Sequence, residues 1–247
     1  MKRFLLYLFI YIGLVTACTD SDSFTTSRQN LLTFSVDTVK MDTVFTGVGS
    51  STYTCWVFNN SGDGLRLTSV RLRNGNQTGF RVNVDGSYLD SQLGAVATDL
   101  EVRKGDSLRV FVELTAAETR QQAPQLVEDD LVFTLESGVE QHIHLQSYAW
   151  DAVTLRDLVV SRDTLIESPK PVVVYGGISV DSGVVLTLRH TTLYFHDGAG
   201  ISVRGTLRTD SVVMRGDRLD HLFDYLPYDR VSGQWRGIAF SDTSYGN

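Results

Sequence analysis

Side chains that could do chemistry are concentrated near the C-terminal end of the sequence. Asp220, His221, Asp224 and Asp229 are close enough in sequence to hold Ca²⁺ or to act as acid and base, as paired carboxylates do in glycosidic cleavage. A solvated helix face is the interpretation we favour, because charged residues normally cover the outer side of an amphipathic helix. We therefore assign no catalytic residue here.

Three aromatic residues, Tyr225, Tyr228 and Trp235, accompany these carboxylates. Exposed rings can stack on the faces of sugars, and they can equally pack an insertion onto the body of a fold. We favour packing as their main use. The three rings and Asp224 are nevertheless the candidate ligand-binding residues of the chain.

Two further groups of side chains have ordinary structural explanations. His142 and His144 point to the same face of one predicted strand, as zinc ligands can, but no third ligand stands at a recognisable spacing. We expect a solvated strand face, no metal and no cofactor. Cys55 precedes the apolar residues Trp56 and Val57 and is interpreted as a core residue, not a nucleophile.

An amphipathic pattern predicts how the C-terminal cluster is positioned. Four apolar residues recur at helical spacing, namely Leu219, Leu222, Phe223 and Leu226. Asp217 could cap such a helix, and Pro227 would end it. The sequence therefore predicts a two-turn helix over residues 217–226, inside an insertion that covers residues 216–235.

An internal repeat surrounds that insertion. Gly177-Ile178-Ser179-Val180 recurs as Gly200-Ile201-Ser202-Val203, and a looser copy appears as Gly237-Ile238-Ala239-Phe240. Three short apolar strands fit between the first two copies, which is the spacing of one coil of a parallel β-helix. We predict the first coils of a right-handed parallel β-helix over residues 150–247. Too few coils are present to cover the last one, so we expect Leu207, Val212 and Met214 to be exposed in an incomplete version of a longer protein.

The preceding half of the chain is predicted to be all-β. Apolar residues alternate along several segments, as in Phe80, Val82 and Val84, and turn clusters of Asn and Gly separate the segments. About seven such strands suggest an immunoglobulin-like β-sandwich over residues 31–149.

The N-terminus has the layout of an export signal. Lys2 and Arg3 precede an apolar run over residues 4–15, which is too short to span a bilayer. The run ends in Thr16-Ala17-Cys18, which resembles the bacterial lipobox and implies lipidation of Cys18 after removal of residues 1–17. An ordinary signal with a chance cysteine is the alternative. Residues 18–30 are polar and are predicted to be a flexible tether.

The architecture as a whole resembles that of Gram-negative surface lipoproteins in which an immunoglobulin-like region precedes a right-handed parallel β-helix. The specific motifs lie in residues 177–238. This resemblance implies an outer-membrane protein held by lipid, and the acidic residues after Cys18 resemble signals for export to the cell surface. It implies no catalytic residues.

Charge excludes one class of partner. The formal charge is −7, and removal of Lys2 and Arg3 with the signal makes it −9. No basic cluster offers an electrostatic footprint for nucleic acid.

Two function classes remain. The favoured one is a non-catalytic surface module that binds glycan or protein through the insertion and one sheet of the coil. The alternative is a polysaccharide lyase or glycoside hydrolase of the β-helix type, which would place carboxylates and basic residues on adjacent coils.

Overall fold

The computed structural model describes residues 23–89, 95–221, 225, 228–241 and 245–246. The predicted signal and residues 18–22 of the predicted tether, including Cys18, therefore lie outside the described residues. Residues 23–30 of the tether are described, and Phe24 forms a parallel β-bridge with Gly64 and lies 4.3 Å from the Arg66 guanidinium. Within the described part of the chain, no helix is long and apolar enough to cross a membrane. Strands are numbered β1 to β19 in chain order, and the short 3-10 helix Tyr228–Arg230 interrupts them between β17 and β18.

The first half of the chain is a sandwich of two sheets, as the alternating pattern predicts. One sheet has the order β1 (Thr33–Phe34), β4 (Tyr53–Phe58), β9 (Ser107–Leu114), β6 (Phe80–Val84) and β7 (Ser87–Tyr88). The other has the order β2 (Thr38–Lys40), β11 (Glu140–Trp150), β10 (Gln125–Leu135), β5 (Leu65–Leu72) and β8 (Val96–Val102), and β3 (Val44–Phe45) also pairs with β11. All neighbours are antiparallel except β2 and β3, which run parallel to β11.

Alternation along each strand fills the space between the two sheets. Val82 on β6, Val110 on β9, Phe133 on β10 and Leu145 on β11 are all completely buried. Cys55 on β4 is 2% exposed in the same cluster, which confirms its interpretation as a core residue. Burial also raises the pKa of its thiol to about 11, so the thiol is not poised for nucleophilic attack.

The second half is a parallel β-solenoid of about three turns, which confirms the predicted fold class. It contains β12 (Val153–Val160), β13 (Thr164–Glu167), β14 (Val172–Val180), β15 (Val185–Phe195), β16 (Ile201–Val203), β17 (Thr206–Gly216), β18 (Ile238–Phe240) and β19 (Tyr245–Gly246). Every strand pair in this sheet is parallel.

Three faces result from these pairings, and each face is built from one strand segment per coil. Face 1 stacks residues 158–160, 178–180, 201–203 and 238–240. Face 2 stacks residues 164–167, 186–189 and 207–210, with β19 above them. Face 3 stacks residues 153–156, 172–175, 193–195 and 214–216.

The sequence repeat is the register of face 1. Ile178 pairs with Ile201, and Ile201 pairs with Ile238, so the three copies of the repeat stack directly on one another. The inward side chains Val180, Leu186 and Phe195 are completely buried. A further coil, β12 with β13, precedes the first copy, and sequence comparison within the chain does not reveal it.

The C-terminal end of the solenoid differs from expectation in three respects. Residues 217–221 are irregular, so the predicted helix is wrong at its first residues, and Leu222, Phe223, Asp224 and Leu226 lie outside the described residues. A second strand, β19, follows β18 and pairs with Thr206 and Leu207. Leu207 is only 3% exposed, whereas Val212 and Met214 are partly buried against the solenoid core.

Tertiary contacts explain why residues 217–221 are not helical. Leu219 packs against the cluster of Phe45, Val173 and Tyr194, between the sandwich and face 3. The Arg218 guanidinium is held by the Asp220 carboxylate at 2.7 and 3.0 Å. These contacts outweigh a helix propensity that is worth only tenths of a kcal/mol per residue.

Candidate functional site

The candidate residues of the insertion are not gathered into one exposed aromatic surface. Trp235 is partly buried and stacks on Phe195, with 4.5 Å between ring centroids, so one of its ring faces closes the solenoid interior. The Arg218 guanidinium covers Tyr228 at 3.5 Å. Tyr225 is 81% exposed, and Asp224 lies outside the described residues.

A groove of about 580 Å³ runs across the coils on face 1. Its floor consists of the outward side of face 1, where Val159, Ser179, Ser202 and Ala239 occupy equivalent positions on successive coils, and Val159 is 59% exposed. Because the side chains of Ser179, Ser202 and Ala239 are small, a ligand can approach the backbone of these three neighbouring strands. The volume lies in the range of small-molecule sites, although the groove is open and not an enclosed cavity.

Glycine is required along one wall of this groove because consecutive coils approach closely there. Gly177 has φ +122°, and a Cβ on it would lie 2.9 Å from the Gly200 carbonyl oxygen. A Cβ on Gly200 would lie 2.8 Å from the carbonyl oxygen of Gly237. The glycines of the repeat therefore have a structural role, and the groove is a consequence of the close stacking that they allow.

Opposite charges stand at the two ends of the groove. Asp157 belongs to the first coil, where it lies opposite Gly176 and Gly177 and adopts a positive φ of 46°. Arg236 belongs to the last coil, is exposed, and makes no side-chain hydrogen bond or ion pair with the described residues. Sequence reasoning missed both residues as site candidates, because only the fold brings positions 157 and 236 to one groove.

A column of polar and aromatic side chains follows the neighbouring corner, between face 3 and face 1. The Arg156 guanidinium lies 4.3 Å from the Tyr175 ring centroid, and the Tyr175 ring lies 4.8 Å from that of His196. His196 Nδ1 is 2.7 Å from the Asp217 carboxylate on the next coil. The column therefore ends in a His–Asp pair with an exposed imidazole.

A second, smaller cavity of about 230 Å³ lies at the junction of the sandwich and the solenoid. Phe45, Val48 and Leu219 form its apolar lining, and the His196–Asp217 pair reaches one side of it.

Asp42 organises the opposite side of this junction cavity. Its carboxylate accepts a hydrogen bond from the Tyr53 hydroxyl at 2.8 Å and another from the His221 amide at 2.5 Å. Burial is the main reason that the pKa of Tyr53 lies well above its usual value, and the Asp42 carboxylate raises it further. Tyr53 therefore remains protonated and donates its hydrogen bond to Asp42 within the sandwich, and the Asp42 carboxylate in turn joins the sandwich to the C-terminal half through the His221 amide.

The predicted strand-face histidines occupy an exposed charge cluster on the sandwich. His144 is 2.9 Å from Asp130 and 3.3 Å from Glu128, and its hydrogen bond to Asp130 is the main reason that its pKa is raised. Among the described residues, no group of three or more His, Cys, Asp or Glu side chains could hold a metal ion.

Comparisons with known proteins leave the family of this chain open. No family model matches the chain, and no curated protein matches its sequence. A solved protein of unknown function from Porphyromonas gingivalis W83 aligns at 11% identity and a TM-score of 0.35, over 51% of this chain and 59% of its own length.

Other solved structures align at similar levels. A family 123 glycoside hydrolase from Clostridium perfringens aligns at 8% identity and a TM-score of 0.32, over 49% of this chain and 26% of its own length. The CooA pilin subunit of enterotoxigenic Escherichia coli aligns at 12% identity and a TM-score of 0.28, over 48% of this chain and 95% of its own length. Similarities of this size carry no inference about function.

Proposed function

We propose that the protein is a non-catalytic module that is anchored by lipid at Cys18 to the outer membrane, faces the cell exterior, and binds glycan through the groove on face 1. The observation that carries this proposal is the groove itself, with Ser179 and Ser202 on its floor and Asp157 and Arg236 at its ends. A glycan chain is a suitable occupant because it is long, narrow and rich in hydroxyl groups.

The chemistry of the groove supports a sugar ligand, because a sugar has hydroxyl groups and also an apolar C–H face that can lie against Val159 and Ala239. Ser179 and Ser202 offer hydroxyl groups that donate and accept hydrogen bonds, and Arg236 and Asp157 offer charge-assisted ones. Neighbouring strands of a sheet are about 4.8 Å apart, so the coils present the same groups at a regular interval comparable to the length of one sugar unit. A repeating polymer can match such an interval, and a compact small molecule cannot.

A glycan array with groove variants tests this assignment. We expect Arg236→Ala to weaken glycan binding by about 1 to 3 kcal/mol, the usual range for an important contact, because the substitution removes the one guanidinium that lines the groove among the described residues. Ser202→Trp should abolish binding by filling the floor of the groove.

Arg208→Ala is the matched control, since Arg208 is exposed on face 2. Unchanged binding by both groove variants would contradict the proposal, and binding of protein ligands alone would replace glycan by protein as the partner.

Anchoring is tested separately. We expect metabolic labelling with a fatty acid to mark the protein, and Cys18→Ala to abolish the label, because only the thiol of the first mature residue can receive lipid. Cys55→Ala is the matched control because Cys55 is buried. Equal labelling of the Cys18 variant would remove the basis for the proposed location.

The alternative, a lyase or hydrolase, is favoured by one observation. The His196–Asp217 pair stands beside the junction cavity, and such a pair is one way to hold a general base. Release of reducing sugars or unsaturated products by the wild-type protein, and its loss in His196→Ala, would establish this alternative.

A further inference from the structure

The outer face of the five-stranded sheet of the sandwich is unusually aromatic for a surface that faces solvent. Such a face of an antiparallel sheet normally carries polar side chains. Here Trp56 on β4 is 40% exposed and Tyr88 on β7 is 52% exposed, while Phe111 on β9 is partly buried between them. No described residue from elsewhere in the chain covers Trp56 or Tyr88 to the extent of burying it.

Strand register places these side chains on one surface. Phe111 lies directly opposite Thr54 on one side and Asn83 on the other, and Asn83 lies opposite Tyr88. Trp56 is opposite Arg109, so it is a diagonal neighbour of Phe111. We call the surface formed by Trp56, Asn83, Arg109, Phe111 and Tyr88 the aromatic face.

Arg109 lies at the centre of the aromatic face. Its guanidinium is 5.4 Å from the Trp56 ring centroid and 4.7 Å from that of Phe111, so both rings hold it in place. It makes no ion pair with any described residue. The neighbouring cation Arg81 is different, because Glu113 neutralises it at 3.0 Å. The aromatic face therefore presents a positioned cation whose charge no carboxylate of the described residues neutralises.

We infer that the aromatic face binds an acidic glycan, one that carries carboxylate or sulfate groups. The C–H faces of the sugars would stack on Trp56 and Tyr88, and an acidic group would pair with Arg109. Asn83 stands between the rings to hydrogen-bond sugar hydroxyl groups. This site is separate from the groove on face 1 and does not depend on the function proposed for that groove.

Size and charge favour a glycan over a protein partner. Phe111 and Tyr88 are two strand spacings apart, roughly 10 Å, which spans only a few sugar units. A fully buried aromatic side chain contributes about 150–250 Å², and these rings are already partly covered. Their exposed area is therefore well below the roughly 800 Å² that each partner contributes to a stable protein interface.

The test measures binding of two defined probes to residues 19–247 by calorimetry. The probes are a pectic oligogalacturonate and a neutral oligogalactoside of the same number of sugars. We expect the acidic probe to bind at least tenfold more tightly, and its affinity to fall as salt rises, because the pairing with Arg109 is exposed and is screened. Arg109→Gln should remove that preference, and Trp56→Ala should weaken binding of the acidic probe tenfold or more.

Matched controls lie on the other sheet of the sandwich. Arg71→Gln and Tyr148→Ala change a partly exposed arginine and a 44% exposed tyrosine away from the aromatic face and should leave binding unchanged. If Trp56→Ala fails to fold, Tyr88→Ala replaces it, because Tyr88 is on a two-residue strand at the sheet edge. Equal affinity for both probes, or full affinity in Arg109→Gln, would overturn the inference. If Arg236→Ala loses binding of the acidic probe and the variants of the aromatic face do not, the inference is overturned and the groove is supported as the binding site.

Discussion

Replacement of Asp151 by Ala is expected to destabilise the protein by about 2 to 3 kcal/mol, although Asp151 belongs neither to the groove on face 1 nor to the aromatic face. Its side chain is 2% exposed, and it lies in the two-residue connection between the last strand of the sandwich and the first of the solenoid. Its carboxylate accepts a hydrogen bond from the Thr119 amide at 2.8 Å and pairs with Lys170 at 3.3 Å. Removal of a buried acceptor leaves these donors without a partner, which costs more than the net value of the bonds. Chemical denaturation monitored by tryptophan fluorescence measures the change.

The ionisation of Asp151 also makes the stability of the protein depend on pH under acidic conditions. Burial alone would raise the pKa of Asp151, but the hydrogen bonds from Thr119 and the charge of Lys170 outweigh it and lower the pKa to about 2. A carboxyl group with a lowered folded pKa stabilises the protein above its unfolded pKa of about 4, and this contribution disappears as the pH falls from about 4 to 2. Asp151→Asn keeps the shape and the acceptor but not the charge, so it should lose this part of the acid dependence. Identical acid titrations of stability for the wild type and Asp151→Asn would contradict the assignment.

Replacement of Gly177 by Ala is expected to destabilise the solenoid by about 2 to 4 kcal/mol. Two effects add, because Ala is strained at a φ of +122° and its Cβ would approach the Gly200 carbonyl oxygen to 2.9 Å. The neighbouring coil cannot yield easily, since backbone and not a flexible side chain is in the way. Thermal unfolding followed by circular dichroism measures the loss.

Gly198→Ala is the matched control for that substitution. Gly198 also has a positive φ, +73°, but nothing lies within 4 Å of the position that its Cβ would take. We expect a loss of only about 1 kcal/mol, from backbone conformation alone. Equal losses at the two positions would mean that close stacking of the coils does not constrain Gly177.

The alternation and the repeat in the sequence predict the two halves of the fold, because the burial of apolar side chains imposes both patterns. A strand of the sandwich must alternate to bury Val110 and expose Arg109, and a coil of the solenoid must repeat to stack Ile178 on Ile201. The first coil is not recognised as a copy of the repeat, because its face 1 segment has the sequence Asp157-Leu158-Val159-Val160. Asp157 stands where the repeat has glycine, and a positive φ at Asp157 lets the backbone follow the same path without it.

The candidate sites are less accessible to sequence reasoning because they depend on which elements meet in space. From the sequence Trp235 could either bind sugar or pack onto the coil, and only the fold shows that one face of its ring lies against Phe195. Asp42 and His221 meet at the junction although 179 positions separate them. Trp56 looks like a core residue among apolar neighbours, yet strict alternation with Cys55 turns it outward.

The central claim is that this protein binds glycan and does not cleave it. The most direct measurement incubates residues 19–247 with each glycan that scores on the array, follows binding by calorimetry, and assays the same samples for reducing ends and unsaturated products. We expect saturable binding that is lost in Ser202→Trp, with no product formed over hours at micromolar protein. Product that accumulates in proportion to protein concentration and disappears in His196→Ala would contradict it.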